Sequence, residues 1–194
     1  MTVFISAGHS PAESGAVFQD VAGKVYKEHD LANAYSLELE SACAALGIAV
    51  KRVPTGTLSS KIAFINKYAK AGDIAIEIHF NSSNSPFVKG CETIYFPGSA
   101  RGKEIATKIH TNIMKALKGV TSDRGVKEGW FRMDAPNRID YPGDVNGDEK
   151  PLAFLSGPKC ASLILEPFFM REVVNIKLYQ NIVARAIAQG LNTK

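Results

Sequence analysis

The chain has 194 residues and a formal net charge of +4, with 45% hydrophobic and 22% charged residues. That balance excludes a disordered chain, and the length suits one globular domain with a sizeable core. The three cysteines, Cys43, Cys91 and Cys160, are too few for a disulfide scaffold and form no C-x-x-C zinc knuckle. No apolar run approaches the roughly 18 residues of a membrane helix. The start, Met1–His9, lacks a basic n-region and has only a short apolar stretch, so no signal peptide is expected. The small positive excess accords with simple solubility and gives no reason to expect a nucleic-acid partner.

Short β-rich runs alternate with longer helical ones, which predicts an α/β fold. Thr2–Ala7 reads as a first strand opening into a Gly-His turn. Leu31, Tyr35, Leu39, Ala42 and Leu46 recur at helical spacing over about Asp30–Leu46, and Gly47 stops that helix. Ile48–Val53 is a second strand. Ser59 or Ser60 is expected to cap a helix to Lys70 with Ile62, Ile65 and Tyr68 on its apolar stripe. Over Asp73–Phe80 the alternation is clearest: Ile74, Ile76, Ile78 and Phe80 face one way, and Ala75, Glu77 and His79 the other. A strand at Glu92–Phe96 follows, then a helix capped by Ser99 that carries Ile105, Ile109, Ile113 and Leu117. Between Gly125 and Pro151 periodicity fails, and residues 126–151 read as a loop insertion at the rim of a site. Ser162–Glu166 is the last strand, ended by Pro167, and one helix covers about Val174–Gln189.

Four polar residues fall at element ends: His9 after the first strand, Glu28 before the first long helix, His79 near the end of the clearest strand, and Glu166 at the end of the last. In α/β sheets, sites gather outside the carboxyl ends of strands, so these can converge. Two imidazoles and a carboxylate with an open fourth position make a catalytic zinc set, and a further carboxylate can exchange protons. Each also has a plainer role. His9 can be a turn residue, Glu28 a first-turn acid complementing the helix dipole, His79 a satisfied core histidine, and Glu166 an ion-pair partner at a sheet edge.

These segments, taken in order, resemble the zinc-dependent N-acetylmuramoyl-L-alanine amidases of the amidase-3 type. Ile5-Ser-Ala-Gly-His9 with Gly15-Ala16 is similar to that family's opening motif. Lys27-Glu28-His29-Asp30-Leu31 resembles its second motif, Glu77-Ile-His79-Phe-Asn81-Ser82 its third, Arg124-Gly125-Val126-Lys127 a later segment, and Leu165-Glu166-Pro-Phe-Phe169 its last. The resemblance implies one domain with a twisted, mixed, mostly parallel sheet flanked by helices, phosphorylase/hydrolase-like. It implies His9, Glu28 and His79 as ligands of one zinc ion and Glu166 as catalytic acid/base. The implied substrate is peptidoglycan, cut at the amide between N-acetylmuramic acid and L-alanine. Without a signal peptide or second domain, the chain resembles the bare catalytic module of a phage endolysin, made in the cytoplasm and acting on the wall after release. Two alternatives stay open: a non-catalytic peptidoglycan-binding module, and a zinc peptidase acting on the stem peptide.

Ser10 and Pro167 depart from the family pattern, and His29 stands beside Glu28 as a rival ligand. Adjacent helical side chains point about 100° apart, which leaves Glu28 the preferred one. Glu77 is either a partner orienting His79 or a surface acid. Asn81 and Arg124 are candidate substrate-binding residues, against an Asx turn and a surface ion pair. Trp130, Phe131, Arg132 and Tyr141 either line a groove or pin the loop. Asp144, Asn146 and Asp148 are spaced like the beginning of a calcium loop, but Glu149 and Pro151 make a plain turn-rich loop the better reading.

Overall fold

A computed structural model describes residues 1–131, 139–140 and 150–192. Its centre is a six-stranded sheet built from β1 (Thr2–Ala7), β4 (Ala49–Arg52), β5 (Ile74–Ile78), β6 (Cys91–Tyr95), β7 (Asp123–Glu128) and β11 (Ala161–Glu166), in the order β4-β1-β5-β11-β6-β7. All neighbours run parallel except β11 and β6. The mixed, mostly parallel sheet inferred from the motifs is therefore present. The last strand in sequence is not at an edge; it is central, which buries Glu166.

β5 is buried along its whole length, as a parallel strand covered on both faces should be. Val3, Ile5, Ile76, Ile78 and Leu165 pack on one face against α1 (Glu28–Ala45), α3 (Ala100–Ala116) and α6 (Gln180–Asn192), through Tyr35, Leu39, Ile109 and Ile187. On the other face Phe4, Ala75, Ile94 and Ile164 meet α2 (Leu58–Tyr68) and the short α4 (Ala153–Ser156), through Ile65, Phe154 and Leu155. Burying such a set stabilises by about 25 cal/mol per Å² of apolar surface removed from water. No helix among the described residues is long and apolar enough to cross a membrane.

The predicted strand and helix positions hold for β1, α1, β4, β5, β6, α3 and β11 within a residue or two. Ser99 caps α3 as expected, its Oγ accepting from Gly102 N at 2.9 Å. At α2 the cap is Thr57, not Ser59 or Ser60, its Oγ accepting from Ser60 N at 3.2 Å. The buried stripe of α2 is also rotated from expectation: Lys61 and Ile65 are buried, whereas Tyr68 is 40% exposed. The expected C-terminal helix is two, α5 (Val173–Leu178) and α6, because the chain turns at Tyr179 before α6 lies across α1 and α3.

Besides the short α4, three features have no counterpart in the predicted elements. A hairpin of β2 (Val17–Gln19) and β3 (Val25–Lys27) precedes α1. Residues 126–128, expected in the irregular stretch, belong to β7 of the central sheet. A small sheet then joins β8 (Trp130–Phe131), β9 (Ile139–Asp140) and β10 (Lys150–Pro151). Arg132, Tyr141, Asp144, Asn146 and Asp148 lie outside the described residues.

Candidate metal centre and active site

The site forms where β1, β5 and β11 present their carboxyl ends. Side chains at Ser6, Glu77, His79 and Glu166 share the sheet face that α2 covers. The pleat puts Ser6 opposite Glu77 on β5, and Glu166 opposite Glu92 on β6. Because β6 runs against β11, its first residues, and not its last, lie at this edge.

His9, Glu28 and His79 converge, their candidate ligand atoms all within 4.8 Å of one another. Glu28 is the link. Its Oε2 lies 3.0 Å from His9 Nε2 and its Oε1 2.9 Å from His79 Nδ1. Backbone N–H groups of Ala16 and Phe80 also donate to this carboxylate, at 2.9 and 3.1 Å. Burial alone would raise the Glu28 carboxyl, but the bonds from His79 and His9 outweigh it and hold it well below the usual carboxylate range. For His79 burial works against charge, yet the carboxylates of Glu28 and Glu77 leave its imidazole well above its ordinary value.

The backbone is shaped around this cluster. His9 has φ +58°, a left-handed conformation uncommon for a residue with a side chain. Gly15, at φ +73°, packs so closely that a Cβ there would lie 2.3 Å from His9 Cδ2 and 2.6 Å from Glu28 Oε2. The hairpin β2–β3 carries the chain from Ala16 back to Glu28, whose backbone N–H donates to Ala16 O at 2.9 Å. The departure at Ser10 is a local turn, in which Ser10 N donates to Glu13 O at 3.0 Å and Ser10 Oγ accepts from Glu13 N at 3.1 Å. His29 is not a rival: it is buried, with Nδ1 2.8 Å from the Gly8 carbonyl and Nε2 facing Thr55.

Glu166 completes the site from the side of β11. It is buried, and its Oε2 has no hydrogen-bond partner among the described residues. Burial is the largest influence on its carboxyl and pushes it well above the usual range. His79 opposes that shift, while Glu28, Glu92 and Glu77 reinforce it. A buried carboxyl with an unsatisfied oxygen beside such a cluster is suited to exchanging protons.

A cavity of about 610 Å³ opens over these groups, with His9, Glu28, His79 and Glu166 on its floor and Leu58, Leu152 and Phe154 among its apolar walls. Asn81 and Arg124 both line it. Neither is a bare surface residue. Asn81 Nδ2 donates to Glu92 Oε1 at 2.8 Å, and Arg124 Nε to Glu92 Oε2 at 2.7 Å, while Lys127 Nζ reaches the same oxygen at 2.8 Å. The Arg124 guanidinium also lies 5.2 Å over the Phe169 ring. Glu92, fully buried, escaped the sequence reading. Its signal was a lone acid opening an otherwise apolar strand, Cys91-Glu-Thr-Ile-Tyr95.

Glu77 is no surface acid: it is buried, its Oε2 meets His79 Nε2 at 3.1 Å, and its Oε1 takes Lys61 Nζ at 3.0 Å. Lys61 also escaped the sequence reading. The clue was its place four residues before Ile65 on α2, which puts it on the same buried face.

Solved structures resemble this fold along nearly its whole length. An N-acetylmuramoyl-L-alanine amidase from Clostridium difficile 630 superposes with a TM-score of 0.78 at 22% identity, covering 98% of this chain and 94% of that one. The catalytic domain of CwlV, an N-acetylmuramoyl-L-alanine amidase from Bacillus (Paenibacillus) polymyxa var. colistinus, gives 0.75 at 24% identity, covering 98% and 95%. The catalytic domain of the CD27L endolysin targeting Clostridia difficile gives 0.71 at 24%, covering 100% and 98%. No curated protein matches the chain by sequence. The sequence profile of the N-acetylmuramoyl-L-alanine amidase family, amidase-3 type, matches residues 3–193, and this chain belongs to that family.

Proposed function

We propose that the chain is a zinc-dependent amidase that hydrolyses the amide between the lactyl group of N-acetylmuramic acid and the L-alanine of the peptidoglycan stem peptide. The observation that carries this reading is the His9–Glu28–His79 cluster lining one cavity with the buried Glu166, whose Oε2 has no hydrogen-bond partner among the described residues. Two imidazoles and one carboxylate match the donor set of a catalytic zinc site, and the close fit of Gly15 keeps a side chain out of it. His9, Glu28 and His79 would hold one zinc ion, which supplies an acidified water at neutral pH and a Lewis acid for the amide carbonyl.

The protein's own groups do the rest. Glu166 accepts the proton of the attacking water on a carboxylate oxygen and returns it to the nitrogen of the leaving L-alanine. A single carboxyl that both accepts and returns the proton acts as base and then as acid in one turnover. Arg124 and Asn81, set in place by Glu92, bind polar groups of the stem peptide, a carboxylate being the natural partner of the guanidinium. Leu58, Leu152 and Phe154 keep bulk water from the reacting amide. The net charge of +4 suits an anionic wall. Likeness to an endolysin catalytic domain supports an endolysin-type role, with the enzyme acting on the wall after release.

The test is digestion of purified peptidoglycan followed by mass spectrometry of the fragments, with metal analysis of the protein. Free muramic carboxyl groups together with free L-alanine amines are expected. Cleavage between amino acids instead would identify a stem-peptide peptidase. Intact wall bound by the protein would identify a binding module.

A further inference from the structure

Lys61 is a lysine where a helix facing a sheet ordinarily carries an apolar residue. Its side chain is 3% exposed, and its ammonium meets three acceptors: Ala7 O at 2.5 Å, His9 O at 2.7 Å and Glu77 Oε1 at 3.0 Å. Three donors meeting three acceptors leave the group fully satisfied. Two of those acceptors flank the turn that carries His9, whose φ of +58° needs support from its surroundings. The third is a carboxylate whose other oxygen lies 3.1 Å from His79 Nε2, while Ser6 Oγ donates to its Oε1 at 3.0 Å. His79 Nδ1 points the opposite way, toward Glu28 Oε1 at 2.9 Å. One buried ammonium therefore touches the backbone of one histidine directly and the ring of the other through Glu77.

We propose that Lys61 and Glu77 form a positioning pair for the metal centre, Lys61 fixing the His9 turn and Glu77 orienting the His79 ring so that Nδ1 faces Glu28. The proposal rests on the zinc-site reading above. A carboxylate on the far nitrogen of a ligating imidazole sets the ring's tautomer and direction, and losing such a partner weakens metal binding by about 10–100-fold. A buried ion pair kept only for packing behaves otherwise, because replacing both partners by apolar residues of similar volume is often neutral or stabilising.

The experiment measures zinc affinity, by competition with a chromophoric chelator, and the melting temperature of the metal-free protein, for the wild type, Lys61→Met, Glu77→Gln and Lys61→Met/Glu77→Leu. Zinc is expected to bind about 10–100-fold more weakly to each variant. In the double variant the melting temperature should recover relative to Lys61→Met, while the zinc affinity should not. Zinc affinity within about twofold of wild type in the folded Lys61→Met or double variant overturns the proposal and leaves an ordinary buried ion pair. If the methionine variants do not fold, Glu77→Gln, nearly identical in shape, decides alone: unchanged affinity overturns the proposal. A wild-type protein that binds no zinc would overturn the metal-centre reading and this proposal with it. Zinc bound equally by wild type and variants would overturn this proposal only.

Discussion

His79 and His110 each sit between two polar partners, and the two surroundings lead to opposite ends. His110, on α3, is buried; its Nδ1 lies 3.1 Å from Thr93 Oγ1 on β6 and its Nε2 2.9 Å from Asp123 Oδ1 on β7. Hydroxyl, imidazole and carboxylate in that order have the composition of a catalytic triad. Yet Thr93 is fully buried, so the set fastens α3 to the far edge of the sheet. His79 meets carboxylates on both ring nitrogens and borders an open cavity with His9 and Glu166. Residue type does not separate the two clusters. Access does, together with an excess of negative partners around His79 that a cation would offset. His29, with Nδ1 on the Gly8 carbonyl, belongs with His110: it braces the turn that presents His9.

The sharpest way to break the contrast is at the shared carboxylate. Glu28→Ala should remove bound zinc and reduce peptidoglycan hydrolysis to background, measured by metal analysis and turbidity loss of wall suspensions. Glu166→Gln should cost about 10²–10⁴-fold in kcat/KM while zinc content stays at the wild-type level. Equal loss of zinc in that variant would move Glu166 from proton transfer to metal binding. Gly15→Ala, which sets a Cβ against His9 and Glu28, should weaken zinc binding by about 10–100-fold in the chelator competition.

A pH profile sharpens the same contrast with a smaller effect. Glu166 acts as a base only when ionised, so kcat/KM should climb with pH as its carboxyl loses its proton, with a midpoint that the charge of a bound zinc ion sets below that of the metal-free protein, where burial raises it. Glu166→Gln should abolish that rise. The stability of the metal-free protein has the opposite sign. A carboxyl with a raised folded pKa favours folding fully below 4.5 and loses that contribution as pH rises through the folded value, so the melting temperature should fall over this range, and less so in Glu166→Gln. The smallest change to function is expected at the other cluster. His110→Ala should cost about 1–3 kcal/mol of stability, read by denaturant unfolding, with zinc affinity and kcat/KM unaltered.

Much of the site is legible in the chain itself, because polar residues at the ends of apolar runs are visible exceptions. His9 follows Thr2–Ala7, His79 follows the isoleucine alternation, and Glu166 ends Ala161–Glu166. Alternation also puts Glu77 and His79 on one face, and it correctly opposes them to Ile74, Ile76 and Ile78. Which of Glu28 and His29 faces the site follows from helical geometry once one is assigned.

What the sequence could not decide is which strand ends become neighbours. The order β4-β1-β5-β11-β6-β7 is not the order of the chain, and only that order seats the last strand beside β5 and turns β6 against it. Glu92 therefore reaches the site from the start of its strand, a place where strand-end reasoning does not look. Lys61 was hidden for a different reason. Lysine is almost never fully buried unless paired, so it reads as solvent-facing until three acceptors, from β1, the His9 turn and β5, are seen around it. Local periodicity determined the elements and most of their reactive ends. The pairing of strands, a long-range balance of burial on both sheet faces, decided which of those ends share one cavity.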